Sequence, residues 1–341
     1  KGNPFMRQFM LALIVLLPAS ALAQDRYLVD WDEVGEEAIN HLINLVRINT
    51  SNPPGNETEA ANYLKAALAA EGIESELYAL DPDRANLVAR IKGNGSKRPV
   101  LIMGHTDVVG VQAERWAEEP FGGLRKDGWI YGRGTLDDKD NVTAGLMLMI
   151  MLKRYGVELD RDIIFLAESG EEGTPEVGIN YMVEHHWDKI DAEFCLAEGG
   201  GNILEDSGVS VVGIQTAEKK PRRATLVAKG TAGHGSVPRI DNPVTALAKA
   251  VAKMGEWQTE MRLNPTTRAY FDRLATMSEP EDAWRYRNIE NPEETEAIQQ
   301  YFLENFPYHY SVLRTSVVPT MVNGGFRKNV IPSEATAVLD I

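Results

Sequence analysis

Cysteine is almost absent from this chain, since Cys195 is the only one in 341 residues. A single cysteine excludes an intramolecular disulfide and a structural zinc site built from thiolates. Any metal must therefore be held by histidine and carboxylate side chains. Basic residues are also scarce relative to acidic ones: 35 Lys and Arg stand against 50 Asp and Glu, giving a formal net charge of −15. This charge argues against nucleic acid or an anionic membrane as a partner.

The chain also lacks a long apolar run at its N-terminus. Phe9–Leu17 is shorter than the roughly 20 residues that a spanning helix needs. Met6 and Arg7 precede this run with a start and a positive charge, and Ala-Leu-Ala at residues 21–23 is typical of a cleavage site. We therefore expect a signal peptide over residues 1–23, in which Lys1–Phe5 is a scar upstream of the start. The mature protein is then periplasmic or secreted, with no stable membrane insertion.

Apolar periodicity predicts strands that alternate with helices up to residue 216, which indicates a three-layer α/β sheet. The predicted helices are Trp31–Ile48, Glu59–Glu71, Val142–Tyr155 and Ile179–His185, and the predicted strands are Asn86–Ile91, Pro99–Met103, Ile163–Ala167 and Phe194–Ala197. The pattern changes near Ala217. Residues 217–341 predict a small α+β domain, with strands Arg222–Lys229, Val317–Val322 and Ala335–Ile341, helix Asn242–Trp257, and a polar, partly helical insertion, Gln258–Tyr310.

His105 and Asp107 stand two residues apart at the end of an apolar run, in the segment GHTDVV. Side chains at i and i+2 of an extended segment point to the same side. The imidazole can therefore bind a metal while the carboxylate orients a neighbouring group. An ordinary loop histidine beside a turn aspartate explains the pair as readily.

Asp137 lies in an acidic turn, GRGTLDDKD, shortly before the apolar helix predicted from Val142. One interpretation is a carboxylate that bridges two metal ions. The other is a solvated helix N-cap, which this composition satisfies by itself. A Ca²⁺ loop is a weak rival, because the glycine and the distal glutamate that such a loop requires are missing.

Two further acidic motifs follow predicted strands and are flanked by glycine. Glu171 and Glu172 lie in AESGEEGT, and Glu198 lies in CLAEGG. Adjacent glutamates are usually surface charges, but at a strand end one can bind a metal while the other serves as a general base. The carboxyl ends of strands are where open α/β sheets bind ligands, so the four motifs together favour a site.

In this order the motifs resemble the zinc-dependent co-catalytic exopeptidases and acylases. That family includes glutamate carboxypeptidase, aminoacylase, carnosinase-type dipeptidases and succinyl-diaminopimelate desuccinylase. The resemblance runs from about Leu42 to the last residue. It implies a three-layer α/β/α zinc-exopeptidase-like catalytic domain over residues 24–216. It also implies an inserted small α+β, ferredoxin-like dimerisation or lid domain over residues 217–341, and hence a homodimer.

The resemblance also implies roles for individual residues. One zinc ion would be held by His105, Asp137 and Glu198, and the other by Asp137 and Glu172, with cobalt or manganese as substitutes. Glu171 would be the general base for a metal-activated water, and Asp107 would orient His105.

Three more residues take their roles from the smaller domain of the family. His234, in GTAGHGSVP, would stabilise the tetrahedral oxyanion in the partner subunit's site, although a plain turn histidine fits the same glycines. Asn329 and Arg327, in FRKNVIPSEA, would contact the substrate carboxylate.

The chain departs from the family at two points. Asp140 stands where the family usually has glycine, and none of the six histidines can supply the further ligand that the family's second zinc takes from the C-terminal part of the catalytic domain. We therefore expect both domains to be incomplete at the C-terminus.

The sequence predicts an exported di-zinc hydrolase that cleaves an amide or peptide bond of a small substrate: a dipeptide, a C-terminal residue or an N-acyl amino acid. The alternative is a catalytically incomplete fragment or pseudoenzyme that acts only as a binding or dimerisation module. A metallo-oxidase or lyase is disfavoured because no nucleotide fingerprint is present.

Overall fold

The computed structural model describes residues 27–205 and 208–341 of the chain. The chain divides after Gly199 into two compact units. The expected signal peptide, including Lys1–Phe5, lies outside the described residues, and the predicted domain boundary at residue 217 stays a prediction. Among the described residues, no helix has the length and apolar character needed to cross a lipid bilayer.

The first unit is built on a five-stranded mixed sheet. The strands of the whole unit, in chain order, are β1 (Ser51–Asn52), β2 (Ser75–Tyr78), β3 (Asn86–Ile91), β4 (Val100–His105), β5 (Val108–Val109), β6 (Leu124–Lys126), β7 (Trp129–Tyr131), β8 (Ile163–Glu168) and β9 (Phe194–Leu196). Its helices are α1 (Trp31–Arg47), α2 (Glu57–Ala70), α3 (Lys139–Arg154), α4 (Ile179–His185) and α5 (Trp187–Ile190). The strand order is β2-β3-β8-β4-β9, and β4 runs parallel to both β8 and β9. Two-stranded sheets join β1 to β5 and β6 to β7.

Alternating side chains of the central strands supply two separate hydrophobic cores. Leu87 of β3 and Phe165 of β8 contribute to a core that α1, α2 and α3 complete. Val88 follows Leu87 in β3, and Ile164 precedes Phe165 in β8. These two residues contribute to a second core that α4 and α5 complete. Because successive side chains of a strand point to opposite faces, the sheet lies between two helical layers. The predicted three-layer α/β arrangement is confirmed.

The second unit combines a small antiparallel sheet with a helical segment. Its strands are β10 (Gly201–Glu205), β11 (Gly208–Gly213), β12 (Arg223–Lys229), β13 (Gly233–His234), β14 (Val318–Gly324), β15 (Val330–Ile331) and β16 (Glu334–Asp340). Its helices are α6 (Pro243–Glu256), α7 (Pro265–Met277), α8 (Pro280–Arg287), α9 (Thr295–Asn305) and α10 (Pro307–Val312). The main sheet has the order β12-β16-β14, and α6 packs on one face of it through Leu247, against Ala335 and Ala337.

The predicted elements overlap the observed ones, with differences that bear on the site. Helix α3 begins at Lys139, three residues before the predicted start at Val142, so Asp137 and Asp138 lie immediately before it. The short strands β2, β6, β7, β10 and β11 were not predicted. The polar insertion, predicted as partly helical, contains α7, α8 and α9 and most of α10.

Candidate metal centre

The parallel strands of the first unit bring the predicted site residues to one edge of the sheet. His105 is the last residue of β4, and in the parallel pairing with β8 it lies opposite Glu168. Glu171 and Glu172 follow β8 in the turn that leads to α4. We call this turn, residues 169–178, the glutamate turn. Glu198 follows β9, on the other side of β4. The carboxyl ends of three neighbouring strands therefore converge here, as they do in other open α/β sheets.

The imidazole of His105 is held with one nitrogen toward the protein and the other toward the carboxylates. Nδ1 lies 3.0 Å from the backbone oxygen of Asp107. A carbonyl oxygen can only accept, so Nδ1 carries the hydrogen of this bond. Nε2 lies 3.0 Å from Oδ1 of Asp137 and 3.5 Å from Oε2 of Glu198. The nitrogen that faces the carboxylates is therefore the one with a lone pair available in the neutral ring.

Two groups of possible metal ligands share His105. One group contains His105, Asp137 and Glu198, and the other contains His105, Glu171 and Glu172, with the ligand atoms of each group within 4.8 Å of one another. His105 is buried, whereas Asp137 keeps 60% of its side-chain surface exposed. Imidazole and carboxylate donors suit zinc and related divalent ions. An open face on the carboxylate side would leave room for a substrate.

The electrostatics of this cluster favour a cation. Burial and the neighbouring carboxylates raise the pKa of both Glu172 and Glu198. Burial opposes protonation of His105, but its hydrogen bond to Asp107 and the surrounding negative charge outweigh this and raise the pKa of the imidazole to about 10. A divalent ion at the same place would compensate the negative charge of the carboxylates, as a proton on His105 does otherwise. The donor set therefore fits a metal centre.

Asp107 contacts more than the histidine that it is predicted to orient. Its Oδ1 lies 3.4 Å from Nδ1 of His105. The same carboxylate accepts hydrogen bonds from the backbone N–H groups of Glu171 and Glu172, at 3.1 and 3.0 Å. Burial acts against its charge, but the hydrogen bonds from His105 and Asn52 prevail and lower the pKa of Asp107. A buried, ionised Asp107 thus joins the histidine to the glutamate turn.

The acidic turn before α3 is fixed from the inside by Asp138. Its Oδ2 accepts a hydrogen bond from the backbone N–H of His105 at 3.0 Å. A Cβ at Gly104, the residue before the last of β4, would lie only 2.8 Å from this oxygen, so a larger residue there would displace Asp138. Asp138 rather than Asp137 occupies the position before α3, and it makes no side-chain cap. Asp140, where the resemblance led us to expect glycine, has its Oδ1 buried without a hydrogen-bond partner.

In the second unit, His234 lies in one small sheet, and Asn329 and Arg327 lie in the segment that leads into its second strand. His234 of β13 pairs with Val330 of β15, and the backbone N–H of Gly235 donates to the backbone oxygen of Asn329 at 2.8 Å. The backbone oxygen of Arg327 accepts from the N–H of Val330. Nδ1 of His234 accepts from the backbone N–H of Ser236 at 3.2 Å. The neutral ring therefore carries its hydrogen on Nε2, where it can donate to an oxyanion.

Sequence reasoning missed several buried polar residues around the site. Lys139 has no exposed surface and donates to the backbone oxygens of Leu45 and Ile48 at the end of α1. The ion pair between Glu57 and Arg84 is also buried. Lys139 lies in the acidic motif GRGTLDDKD, but neither this motif nor the apolar periodicity indicates that its side chain is buried.

Comparison with known proteins agrees with this geometry. Residues 101–321, more than half of the chain, match the family described as Peptidase family M20/M25/M40. The chain belongs to this family. Membership confirms the resemblance stated above and makes the chain, at the family level, a hydrolase that acts on peptide or amide bonds. The M20 family is metal-dependent, and the described residues include a set of candidate ligands that fits this requirement.

Two curated M20 relatives and one solved structure illustrate the range of the family. A "Probable succinyl-diaminopimelate desuccinylase" of Staphylococcus aureus (strain Mu50 / ATCC 700699) is 29% identical over 309 residues, covering 90% of this chain and 68% of the relative. The human "N-fatty-acyl-amino acid synthase/hydrolase PM20D1" is 27% identical over 324 residues, covering 89% and 62%. An M20 family metallo-carboxypeptidase, Sso-CP2 from Sulfolobus solfataricus, superimposes with a TM-score of 0.60 at 22% identity, covering 89% of this chain and 70% of that one.

These comparisons bear on the fold and on the size of the chain. The low identity to Sso-CP2 limits that comparison to the fold, which agrees with the predicted α/β architecture. The chain spans about two thirds of the length of the curated relatives that it matches.

Proposed function

We propose that this chain carries the metal centre of an M20 hydrolase that cleaves the amide bond of a small substrate. The ligands would be His105, Asp137 and Glu198 for one zinc ion, and Asp137 and Glu172 for the other. The observation that carries this proposal is the position of His105 Nε2, 3.0 Å from Asp137 and 3.5 Å from Glu198. Carboxylate oxygens of Glu171 and Glu172 lie within 4.8 Å of a ring nitrogen of the same imidazole, close enough for Glu172 to bind a metal there and for Glu171 to act as a base beside it.

Glu171 is the side chain best placed to move protons in this reaction. Bound zinc would supply a Lewis acid that polarises the amide carbonyl and lowers the pKa of water. Glu171 Oε2 lies 3.9 Å from His105 Nε2, and nearly half of its side chain is exposed toward solvent. It would take the proton of the attacking water and return it to the nitrogen of the leaving amine. Asp107 holds the backbone of Glu171 while this happens.

The second unit would supply the remaining groups. His234 would donate its Nε2 hydrogen to the carbonyl oxygen as negative charge develops there. As the resemblance implies, we assign this contact to the site of the partner subunit. Asn329 and Arg327 would bind a carboxylate of the substrate, because an amide and a guanidinium both donate hydrogen bonds to carboxylate oxygens.

The substrate class is an N-acyl amino acid or a short peptide. Both curated relatives described above are named for the hydrolysis or desuccinylation of compounds that carry an acyl group. We favour the N-acyl amino acid for this reason, and a dipeptide or a C-terminal residue is the second candidate. A panel of N-acyl amino acids and dipeptides, assayed with zinc, cobalt or manganese, distinguishes the two classes.

The decisive test replaces the proposed base. Glu171→Gln should lower turnover by about 10²–10⁴-fold, because a general base contributes on that order, while the bound metal stays unchanged. The matched control is Glu176→Gln, an exposed glutamate in the same turn, which should keep full activity. Turnover is measured on the substrate panel and bound metal by elemental analysis.

Two outcomes would contradict the proposal. Unchanged turnover in Glu171→Gln removes Glu171 as the base. A wild-type chain that folds but binds no divalent metal favours the alternative, a binding or dimerisation module without catalysis.

We also propose that the protein is exported. The supporting pattern is the basic start at Arg7, the apolar run Phe9–Leu17 and the small residues at 21–23. The mature protein would begin at Gln24 and act in the periplasm or outside the cell. N-terminal sequencing of protein recovered from that compartment tests the cleavage site.

The third part of the proposal is a homodimer formed through the second unit. Among the strands that the structure describes, β14 pairs with β16 alone, and it exposes Val318, Met321 and Val322. An unpaired edge strand with apolar side chains can pair with its own copy in a second molecule.

A further inference from the structure

A row of buried polar side chains connects the glutamate turn to the start of α2. We call it the anchor network, and its members are Asn52, Glu57, Arg84, Asp107 and Thr174. Asn52, Glu57, Arg84 and Asp107 are each at most 6% exposed. Buried polar groups of this kind are costly unless they are hydrogen-bonded, so the contacts within the network determine where its members can lie.

The network begins with an ion pair between Arg84 and Glu57. Nε of Arg84 donates to Oε2 of Glu57 at 3.0 Å, and Nη2 donates to Oε1 at 2.5 Å. This two-pronged geometry fixes the plane of the guanidinium. Gly55 lies against the pair, with φ +86°, and a Cβ there would approach Arg84 Nε to 2.3 Å. The guanidinium is therefore held on one side by Glu57 and covered by the backbone at Gly55.

The remaining terminal nitrogen of Arg84 reaches the glutamate turn. Nη1 donates to the hydroxyl oxygen of Thr174 at 2.7 Å. The same oxygen accepts a second hydrogen bond from Nδ2 of Asn52 at 2.9 Å. Two donors fixed by the rest of the protein thus converge on one side chain of the turn.

The other end of the network holds the glutamates themselves. Asn52 Nδ2 also donates to Oδ2 of Asp107 at 2.8 Å. Asp107 in turn accepts from the backbone N–H groups of Glu171 and Glu172. Asn52 therefore connects two of the places at which the turn is tied to the protein; the ends of the turn, at Ser169 and Val177, are held separately by Asn86.

We propose that Arg84 and Thr174 are positioning residues that fix the glutamate turn, and with it the carboxylates of Glu171 and Glu172. This proposal rests on the proposed function, in which Glu171 is the base and Glu172 is a metal ligand. The side chains of Asp137, Glu171, Glu172 and Glu198 repel one another, so a turn without anchors would relax away from His105. The anchor network holds it in place whether or not a metal is bound.

The test uses the full chain and changes only the hydroxyl of Thr174. Thr174→Val keeps the shape of the side chain and leaves the Arg84–Glu57 pair intact, but removes the shared acceptor. Thr174→Ser restores the hydroxyl. The matched control is Thr58→Val, because Thr58 is similarly half-buried and its hydroxyl also makes two hydrogen bonds, to Pro82 and Ala85, outside the turn.

The first measurement is amide hydrogen exchange of the metal-free protein. Peptides that cover residues 170–174 should exchange at least about tenfold faster in Thr174→Val than in the wild type. The turn loses the hydroxyl that Arg84 and Asn52 hold, so the amides of Glu171 and Glu172 separate from Asp107 more often. Thr174→Ser and Thr58→Val should exchange at the wild-type rate in these peptides. Wild-type exchange in Thr174→Val, or equal acceleration in Thr58→Val, would overturn the anchoring role.

The second measurement is calorimetric titration with Co²⁺ alone. Thr174→Val should weaken Co²⁺ binding by about tenfold, the lower end of the effects seen for residues that support metal ligands. Glu172→Gln reports the contribution of the ligand itself. Unchanged Co²⁺ affinity in Thr174→Val, with weaker binding in Glu172→Gln, would overturn the positioning role. A wild-type chain that binds no Co²⁺ would instead contradict the proposed function, and the exchange result would still decide whether the turn is anchored.

Discussion

Lys139 is fully buried, and its ammonium group binds backbone oxygens at the end of a helix rather than a carboxylate. Its Nζ donates to the backbone oxygens of Leu45 at 2.9 Å and Ile48 at 2.7 Å, at the C-terminus of α1. The last carbonyl oxygens of a helix lack the partner that a further turn would supply. The oxygen of Leu45 also accepts from the backbone N–H of Ile48 at 3.1 Å, and Lys139 adds a donor from outside the helix. Burial lowers the pKa of Lys139 to about 8. A neutral amine still has two hydrogens to donate, so both contacts survive deprotonation.

This titration predicts that stability rises with pH in the alkaline range. The folded state releases the proton near pH 8, whereas an unfolded lysine keeps it to about pH 10.4. Between these values the unfolded state binds more protons, so the free energy of unfolding increases by up to about 3 kcal/mol. Lys139→Met should remove this increase, whereas Lys153→Met, on the exposed surface of the same helix, should retain it. Urea unfolding at pH 7.5, 9 and 10.5 measures the difference, and parallel curves for wild type and Lys139→Met would contradict it.

Single residues also show what the sequence could and could not predict. His105, Asp137, Glu171 and Glu198 could be proposed as site residues because each follows or precedes an apolar element in a glycine-flanked motif, and strand ends converge in this fold class. Arg84 could not be found in this way. Its partners Glu57 and Thr174 lie 27 and 90 positions away, and contacts so distant in sequence leave no local pattern.

At the scale of elements, some helices and strands were predicted closely and others were missed. The strand at Asn86–Ile91 and the helix at Ile179–His185 were predicted with their observed bounds. The strands of the hairpin β6–β7 have three residues each, which is too short for an alternating pattern to emerge. The helices of the insertion carry many charged residues, so its composition alone suggested a polar segment, although its aromatic and aliphatic residues form a buried core.

The helices α7–α10 enclose an aromatic core of their own. Phe271 stacks on Phe302 at 6.1 Å between ring centroids, and Tyr286 lies 5.6 Å from Phe302. The hydroxyls of Tyr270 and Tyr286 lie 3.2 Å from the two ring nitrogens of His309. Phe302 has no exposed surface and contributes to this core from α9.

Removing this central ring should destabilise the insertion selectively. Phe302→Ala is expected to lower the free energy of unfolding of the segment by about 3–5 kcal/mol, because it leaves a cavity in a closed aromatic core. The neighbouring Leu303 is 39% exposed, so Leu303→Ala should cost less than about 1 kcal/mol. Hydrogen exchange of peptides from α7 and α9 measures the loss. Similar effects of both variants would show that the core is not the source of stability.

At the scale of the whole molecule, the net charge opposes association of two copies, whereas exposed apolar side chains favour it. Two copies that each carry a formal net charge of −15 repel one another, and salt screens this repulsion. Association through the second unit therefore needs a local apolar contact that outweighs the general repulsion. Among the described residues, the edge of β14 offers such a contact through Val318, Met321 and Val322.

A charge on that edge should separate the proposed dimer. Met321→Lys places an ammonium group on β14, where pairing with a second copy would bury it, so the dissociation constant of the dimer should rise at least about tenfold, equivalent to about 1.4 kcal/mol. Met277→Lys is the matched control, because the two methionines are 57% and 55% exposed and Met277 lies on α7, away from this edge. Light scattering after size exclusion, over a range of concentrations at 0.15 M salt, measures the molar mass. A wild-type mass of one chain at every concentration would contradict the dimer. A Met321→Lys variant that dimerises as strongly as Met277→Lys would place the interface elsewhere, because the two variants carry the same added charge and differ only in whether it lies on β14.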